Sequence, residues 1–540
     1  MTRSKLAVAM LGALTSVAGA LSAATKPPER PVAFAEVLDV GVVNLEVVVT
    51  DRRGTRISGL APGDFELFVD GKAVPIDFFT EVSGGVAASA GGAAAIPGST
   101  AGEPVGTSYL VFIDDFFSIA ADRDRVLAAL GAQLGLLGPR DRMAIVAWDG
   151  SHLAMLSSWS DARPALERAL DQAAARPASG LRRLVERESS QRDHDLLRLA
   201  SFEGLRGSRV LDPVTAHYVE LVQEQVERAS SAVTSTLRAF AAPPGRKVML
   251  LLSGGWPTHP VDWLVTEPAL AYRYERPDSA LETLVHTANL LGYTLYPIDV
   301  PGMRRDSGVS AEHSEPVSSF ALFLQEQDIH STLEQLARPT GGKALINSSR
   351  EAAFETVTTD TRSYYWLGFT PDRQFDERQH AVRIEVKRPG LRLRHREGFQ
   401  DFSRQREVTM AVESALLFGS EATPGSLTLQ LGTARRAGFG KVEVPLEIAI
   451  PVDAVTFLPT SQGWSTQLEL RVAVLGDHGE TADVPVVPLS MSLAEQPKPG
   501  TFLPYSTSIL LRRQHHELLV SLYDPATGAM LSSRLEVDPR

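Results

Sequence analysis

Apolar residues follow two different periods along this chain, and the switch between them predicts how it folds. From residue 108 onward, short apolar runs of strand length alternate with segments whose apolar residues recur every three to four positions. The run at 109–113 and the stripe that follows it at 127–137 form the first such pair. Buried strands that alternate with amphipathic helices are typical of a parallel sheet with crossover helices. This pattern predicts an α/β domain over 108–400.

Strand patterns without intervening helices flank this domain on both sides. Strand runs around the Asp70-Gly71 turn predict a small β module at 36–80. Residues 81–107 are rich in Gly, Ala and Ser without periodicity, which indicates a flexible linker. After about residue 405, short strand runs separated by turns predict an immunoglobulin-like β-sandwich over 405–540.

One stretch, at about 175–240, does not fit the strand–helix alternation. It contains a strong helical stripe that begins after Asp212-Pro213, preceded by an Arg/Ser-rich part. We expect an inserted, solvated helical lobe here. Strand patterns between 364 and 396 are expected to extend or cap the α/β domain, and the aromatic run at 364–366 favours a core strand over a recognition surface.

The first 24 residues have the layout of a secretory signal peptide. Arg3 and Lys5 precede a run rich in Ala, Leu and Val, and small residues continue to Ala24. We expect residues 1–24 to be removed on export, which places the mature protein outside the cell or in the periplasm. An uncleaved membrane anchor is the alternative, disfavoured because the run is short and diluted by alanine, and no other stretch is apolar enough to span a bilayer.

Composition excludes several function classes. A net charge of −12 over 540 residues argues against nucleic acid as a partner. The absence of cysteine excludes disulfides, thiol nucleophiles and zinc–thiolate sites, and in an exported protein it suggests a bacterial source. Motifs for a serine-hydrolase elbow, a phosphate-binding loop or a zinc protease are missing, so we expect no enzyme. A hydrolase is the least favoured alternative, because catalytic triads are recognised by geometry rather than spacing.

The apolar run at 109–113 ends in two carboxylates, Asp114 and Asp115, and Ser118 follows. In an open α/β sheet, binding sites form at this end of a strand. Asp114 and Ser118 have the spacing of the first and last ligands in the metal-ion-dependent adhesion motif Asp-x-Ser-x-Ser. Phe116 stands at the middle serine. The alternative for this pair is structural, with both side chains capping the following helix and bonding loop amides.

The order of motifs along 40–400 resembles that of bacterial proteins with a von Willebrand factor A-related domain, of the type found in Acidobacteria. The matching segments are 47–54, 59–60, 64–65, 70–71, Asp114, 139–146, 159–161, 251–255, 293–299, 364–370 and 394–399. The resemblance implies a doubly wound von Willebrand factor A fold. It also implies a divalent cation such as Mg²⁺ at the top of the sheet, which would accept a carboxylate from a partner protein.

Carried over residue by residue, the resemblance implies that Asp114, Ser118 and Ser160 bind the cation. Phe116 and Gly254 replace two further ligands of the family, a serine and an aspartate. Asp115 is a candidate substitute ligand. Other oxygen-bearing side chains are expected to line the same crevice: Asp149, Ser158 and Ser253. For Ser160, the alternative is the N-cap of the next helix.

The sequence leaves two main functions open. The first is an exported binding or adhesion protein that acts by protein–protein contact at the Asp114 crevice, with or without metal. The second is a structural or scaffold component of a bacterial envelope assembly, without a metal site. A hydrolase, the third, would require a buried histidine with a shifted pKa beside a hydroxyl.

Overall fold

The computed structural model describes residues 42–88, 94–96, 100–200, 213–241, 245–261, 279–301, 319–347, 352–371, 378–400, 403–418, 427–438, 440–460, 463–476 and 484–539. The predicted signal peptide lies outside these residues. The described chain divides into two compact units, Val42–Ser403 and the residues from Arg404 onward. Within the described ranges, no helix is long and apolar enough to cross a membrane.

The first unit combines strands and helices in alternation. Its strands are β1 (Val43–Thr50), β2 (Phe65–Val69), β3 (Lys72–Val74), β4 (Phe78–Ser83), β5 (Val86–Ala87), β6 (Thr107–Asp114), β7 (Arg142–Trp148), β8 (Leu153–Ser160), β9 (Arg246–Ser253), β10 (Tyr293–Asp299), β11 (Tyr364–Phe369), β12 (Gln379–Val386), β13 (Arg392–Arg394) and β14 (Gly398–Gln400). Its helices are α1 (Ala120–Ala132), α2 (Arg163–Ala174), α3 (Gly180–Ala200), α4 (Pro213–Ala239), α5 (Ser279–Leu290), α6 (Ser319–Ala337) and α7 (Ala353–Thr361). This mixed α/β content agrees with the sequence pattern.

The central sheet has the strand order β10-β9-β6-β7-β8. The first four strands are parallel, and β8 runs antiparallel at the edge. Every residue of β6 is buried, as expected for a strand that is covered on both faces. Tyr109, Val111 and Ile113 belong to a core cluster that also contains Leu127 of α1 and Leu166 of α2. The sequence placed these strands correctly because an unbroken apolar run is itself the signal.

The amino-terminal strands do not form a separate module. β1 pairs with β11 and β13, and β2 pairs with β12, all antiparallel. The strands of 364–396 therefore complete the amino-terminal sheets instead of extending the parallel sheet, which corrects the predicted division at 36–80 and 108–400. Pairing across some 300 residues leaves no local trace in the sequence, because alternation identifies a strand and not its partner. The aromatic run at 364–366 is buried, as predicted.

Part of the predicted linker at 81–107 is ordered. β4 continues to Ser83, β5 follows, and the Ile96 side chain is buried against Val48, Val82 and Trp366. The prediction of a flexible linker is therefore wrong for the described residues of this segment. The predicted lobe at 175–240 contains α3 and α4, and α4 packs against α5.

The second unit begins with a helix, α8 (Arg404–Phe418), and continues with strands. The strands are β15 (Thr428–Leu431), β16 (Arg435–Arg436), β17 (Lys441–Pro451), β18 (Leu458–Thr460), β19 (Gly463–Gly476), β20 (Val486–Leu493), β21 (Phe502–Arg512), β22 (His516–Asp524) and β23 (Ala529–Val537). β17 joins β15, β16 and β21 in one antiparallel sheet, and β19 joins β18, β20 and β22 in another, which β23 extends. Both sheets contribute to one apolar core.

Helix α8 corrects the expectation that the chain is all-β after residue 405. Val412 and Leu416 of α8 pack on Ala473 and Leu519, which lie on the sheet face opposite the apolar core. His516 of β22 is fully buried, and its Nε2 lies 3.1 Å from the carbonyl oxygen of Arg512. Both features depend on tertiary packing and leave no periodic signal.

Two buried arginines and a partly buried lysine gather where β9 begins and where the chain passes from β13 to β14. Arg246 is 1% exposed and stacks on the ring of Tyr364. Arg396 donates hydrogen bonds to the carbonyl oxygens of Asn44 and Asn289. Lys247 donates to the carbonyl oxygen of Ala241 at 3.1 Å. We call Arg246, Lys247 and Arg396 the cationic layer.

Replacing Lys247 with methionine should stabilise the first unit at neutral pH. Burial, aided by the charge of Arg396, lowers the pKa of Lys247 from 10.5 to about 8. Below pH 8 the folded protein holds this charge at full cost, and between pH 8 and 10.5 the unfolded chain binds more protons, so stability rises with pH. We expect a gain of about 2 kcal/mol at pH 7 and a flatter pH dependence above pH 8. Urea unfolding of both proteins at pH 7 and pH 10 measures both effects, and an equal or lower stability of the variant at pH 7 would refute the prediction.

Candidate functional site

Asp114 is the last residue of β6, at the carboxyl end of the parallel sheet. Its side chain is completely buried. Burial raises the pKa of Asp114 to about 6, and hydrogen bonds from Ser253 and Trp256 oppose this rise. The residue thus occupies the position where sites form in such sheets, in surroundings closed to solvent.

Donors of the chain itself surround the Asp114 carboxylate. Its Oδ1 accepts hydrogen bonds from the backbone N–H groups of Phe116 and Phe117 at 3.1 and 3.0 Å. Its Oδ2 accepts from the Ser253 hydroxyl at 2.6 Å and from the Trp256 indole N–H at 2.8 Å. A carboxylate has about four lone-pair sites, so these four donors saturate it.

Asp115 is held by two arginines. Its Oδ1 lies 2.6 Å from the Arg123 guanidinium, which is fully buried, and its Oδ2 lies 2.7 Å from Arg176. Burial raises the pKa of Asp115, and the hydrogen bonds from the two guanidinium groups oppose that shift. Asp115 therefore has its negative charge already paired, which removes it as a substitute metal ligand.

Phe116 fills the space beside Asp114. Its ring packs on Trp148 with the centroids 5.5 Å apart, and the Arg183 guanidinium lies over it at 4.7 Å. Gly150 has a φ of +105°, which residues with a side chain rarely adopt, and a Cβ there would lie 2.3 Å from this ring. The backbone angle and the lack of space therefore both require glycine at this position. The loop has been shaped around an aromatic side chain instead of a hydroxyl ligand.

Backbone segments close around Ser118. The Ser118 side chain is fully buried, and its hydroxyl makes no hydrogen bond within the described part of the chain. The N–H of Gly180, which begins α3, donates to the Ser118 carbonyl at 2.9 Å. A Cβ at Gly254 would lie 2.0 Å from the Phe117 carbonyl oxygen. The position where the family has an aspartate therefore has no room for a side chain.

Ser160 lies at the other end of the sheet. β8 runs antiparallel to β7, so Ser160 pairs with Met143 at the amino end of β7, while Asp114 pairs with Trp148 at the carboxyl end. Five residues of strand separate these levels, a distance of roughly 16 Å. Ser160 therefore cannot share a cation with Asp114, which corrects that assignment. Its hydroxyl accepts a hydrogen bond from Ala162 N–H, beside the start of α2.

The remaining predicted residues divide between the crevice and the sheet edge. Ser253 binds Asp114 directly. Asp149 lies 4.0 Å from Arg176, and its Oδ1 accepts from the backbone of Ser151 and His152. Ser158 is an exposed residue of β8 and is not part of the crevice. The sequence analysis thus found the loops after β6, β7 and β9, which lie at the carboxyl ends of the parallel strands. It missed four donor side chains around the crevice: Trp256, Arg123, Arg176 and Arg183.

A divalent cation does not fit the residues around Asp114. Such a cation needs several oxygen ligands with free lone pairs, and here every Asp114 and Asp115 oxygen already accepts a hydrogen bond or ion pair. Arg123 and Arg176 add positive charge within 3 Å of Asp115. Among the described residues, no group of three or more acidic or histidine side chains is arranged to hold a metal ion.

A second polar cluster lies on the loop after β9. The Thr258 hydroxyl lies 2.8 Å from Asp328 Oδ1 and 3.0 Å from His259 Nδ1, and the same His259 nitrogen lies 3.1 Å from Asp328. In a catalytic triad, one imidazole nitrogen faces the carboxylate and the other faces the hydroxyl. A single nitrogen faces both here, so this cluster is not arranged as a proton relay.

No protein-family model matches this chain, and no curated protein matches it in sequence. Among solved structures, the vWF domain of the type V pili tip protein Mfa5 from Porphyromonas gingivalis is 12% identical, with 47% of this chain and 94% of that chain covered and a TM-score of 0.25. The PilB minor pilin from Streptococcus sanguinis is 9% identical over 60% of this chain and 87% of that chain, with a TM-score of 0.24. A β-glucuronidase from Bacteroides uniformis is 10% identical over 33% of this chain, which spans only 19% of that enzyme, with a TM-score of 0.15. Likenesses at these scores carry no argument about function.

Replacing Ser118 with alanine should leave stability nearly unchanged. The buried hydroxyl has no hydrogen-bond partner among the described residues, so its removal leaves no other group unsatisfied. We expect a change within about 0.5 kcal/mol in urea unfolding. A loss above about 2 kcal/mol would show that this hydroxyl has a partner, such as a bound ion.

Proposed function

We propose that this chain is an exported protein that acts through protein–protein contact, without a metal at Asp114. In this proposal a doubly wound von Willebrand factor A-like domain is followed by an immunoglobulin-like β-sandwich. The observation that carries the proposal is the saturated carboxylate of Asp114, which the chain's own donors occupy on both oxygens. The residue that would anchor a cation instead ties together the loop after β6 and the loop after β9.

The charges around the crevice support a metal-independent role. In a metal-dependent adhesion site the cation attracts the partner's carboxylate. Here Arg123, Arg176 and Arg183 place guanidinium groups around Asp115 and Phe116. These three guanidinium groups would repel a metal cation, and Coulomb repulsion is strong in a buried site. Adhesion and a scaffold role in an envelope assembly both remain compatible with a metal-free crevice.

A non-enzymatic role has separate support. The Thr258, His259 and Asp328 side chains form the described cluster that comes nearest to a triad in composition. The Thr258 hydroxyl donates to Asp328 Oδ1 and the His259 backbone N–H donates to Oδ2, an arrangement typical of a loop anchor. General-base catalysis needs an imidazole placed between carboxylate and nucleophile.

Partner capture in the presence and absence of chelator tests the proposal. The mature protein and the Ser118→Ala variant would be cross-linked to neighbours in intact cells of the native host, in EDTA or in Mg²⁺. We expect the same partner in all four samples. A partner that is lost in EDTA and regained in Mg²⁺ would contradict metal independence, and recovery of no partner would contradict a binding role.

A further inference from the structure

Strand β21 forms an open edge of the second unit. It pairs with β17 along its whole length, Phe502–Arg512 against Lys441–Pro451, and the described residues place no strand on its other side. The ten residues 502–511 include no charged side chain, although charged residues make up 22% of the chain. Proteins usually protect an exposed strand edge with charges, because its backbone groups can pair with another strand. An uncharged edge of this length therefore indicates a surface that pairs with a further strand.

The backbone groups of alternate β21 residues point toward this open edge. Pro445 of β17 lies opposite Ser508, and the Pro445 carbonyl accepts a hydrogen bond from the N–H of Gly432, which follows β15 on the far side of β17. Pro445 and Ser508 thus form a non-hydrogen-bonded pair, so the N–H and C=O of Ser508 point away from β17. Because a strand alternates every two residues, Ser506 and Leu510 direct their backbone groups the same way.

The sequence of β21 is chemically symmetric about Thr507. An antiparallel pairing of two copies with Thr507 opposite its counterpart fixes the partner of every other position. The facing pairs are Ser506 with Ser508, Tyr505 with Ile509, Pro504 with Leu510, Leu503 with Leu511, and Phe502 with Arg512. Thr–Thr and aromatic–β-branched pairs stabilise a sheet, and an arginine over a phenylalanine ring makes a cation–π contact. Within β21, this register sets no two like charges opposite each other.

The same register matches the backbone groups. Ser506 and Ser508 become a hydrogen-bonded pair, since both direct their N–H and C=O to the edge. Pro504 also faces the edge and lacks an N–H, as is usual for proline on an edge strand, but its carbonyl accepts from Leu510 of the other copy. The Phe502 side chain, which is 55% exposed, would lose contact with water. Side chains and backbone therefore favour the same occupant, a second β21.

We propose that this chain forms a homodimer through β21, with two copies paired antiparallel about a twofold axis at Thr507. The sheet of one copy then continues into the sheet of the other, and both open edges are closed at once. A twofold contact uses the same surface on each copy, and this is the commonest symmetry of soluble oligomers. β21 lies in the second unit and Asp114 in the first, so the inference is independent of the function proposed above and either can fail alone.

A Thr507→Cys variant of the full mature chain tests the contact and its register together. The natural chain has no cysteine, so every disulfide involves the introduced thiol. Facing Cα atoms of a non-hydrogen-bonded pair are about 4.5 Å apart, which a disulfide can span. We expect a disulfide-linked dimer on a non-reducing gel after mild oxidation. Ser506→Cys is the matched control, because its counterpart lies diagonally across the axis, roughly 7–8 Å away and beyond the reach of a disulfide.

Sedimentation equilibrium of the full mature chain measures self-association without a new bond. We expect the wild type to shift from monomer to dimer as its concentration rises. Ser506→Lys brings two ammonium groups together beside the twofold axis and should weaken the dimer about tenfold or more. Gln430→Lys is the matched control, because Gln430 of β15 and Ser506 face the same residue, Glu447, from opposite sides of β17. We expect this control to dimerise like the wild type.

A wild type that remains monomeric at every concentration would overturn the proposal. So would equal disulfide formation in Thr507→Cys and Ser506→Cys, or equal weakening of the dimer by the two lysine variants. If Thr507→Cys does not fold, the wild type and the two lysine variants decide the question.

Discussion

Replacing Asp114 with alanine will destabilise the first unit by at least about 3 kcal/mol. The change removes the acceptor of four buried donors at once: the N–H groups of Phe116 and Phe117, the Ser253 hydroxyl and the Trp256 indole. Each donor then loses its hydrogen bond in a place that water does not reach, and a buried unsatisfied group costs about 1–3 kcal/mol. Repacking of the loop recovers part of that cost.

Urea unfolding of the Asp114→Ala variant at pH 7 measures this loss. Asp149→Ala is the matched control, because Asp149 also follows a parallel strand and also accepts two backbone hydrogen bonds, but its side chain is 39% exposed. We expect the control to lose less than about 1 kcal/mol. Equal losses for the two variants would mean that the buried network of Asp114 contributes little.

Replacing Gly254 with aspartate will damage the fold and will not create a metal site. The change restores the acidic residue of the family, but its Cβ would lie 2.0 Å from the Phe117 carbonyl oxygen and 2.9 Å from the carbonyl carbon. Both contacts are with backbone, which cannot rotate away as a side chain can. We expect a loss of about 3 kcal/mol, at the upper end of the usual range for overpacking.

The matched control for this variant is Gly63→Asp, because a Cβ at Gly63 meets nothing within 4 Å. We expect it to lose less than about 1 kcal/mol in the same urea experiment. Neither variant should bind Mg²⁺. A Gly254→Asp protein that is as stable as wild type and gains Mg²⁺ binding would show that the loop can open to a ligand geometry.

The sequence predicted the parallel strands and the edge at which Asp114, Asp149 and Ser253 meet. This succeeded because a continuous apolar run marks a strand buried on both faces, and its carboxyl end then gives the site. The resemblance, which supplied Ser160 as a ligand, misplaced that residue, since the direction of β8 at the sheet edge depends on how the chain returns. Strand direction is not encoded in the alternation of residues.

The donors around the crevice were missed for a related reason. Trp256, Arg123 and Arg176 come from three separate segments, and only the fold brings them to the carboxylates. Arg123 lies on α1, where the sequence pattern alone suggests an ordinary charged side chain on the solvent-facing side of the helix. Two substitutions were visible in advance, Phe116 and Gly254, but the sequence did not show that Phe116 fills the site or that Gly254 has no room for a side chain.

Calorimetric titration of Mg²⁺ and Mn²⁺ into the chelator-stripped mature protein tests the central claim most directly. Ser118→Ala is the control, because it should fold normally and removes one ligand of the family motif. The closed network around Asp114 predicts no saturable heat with either ion in either protein. Saturable heat in the wild type that disappears in Ser118→Ala would contradict this account and establish a metal-dependent adhesion site.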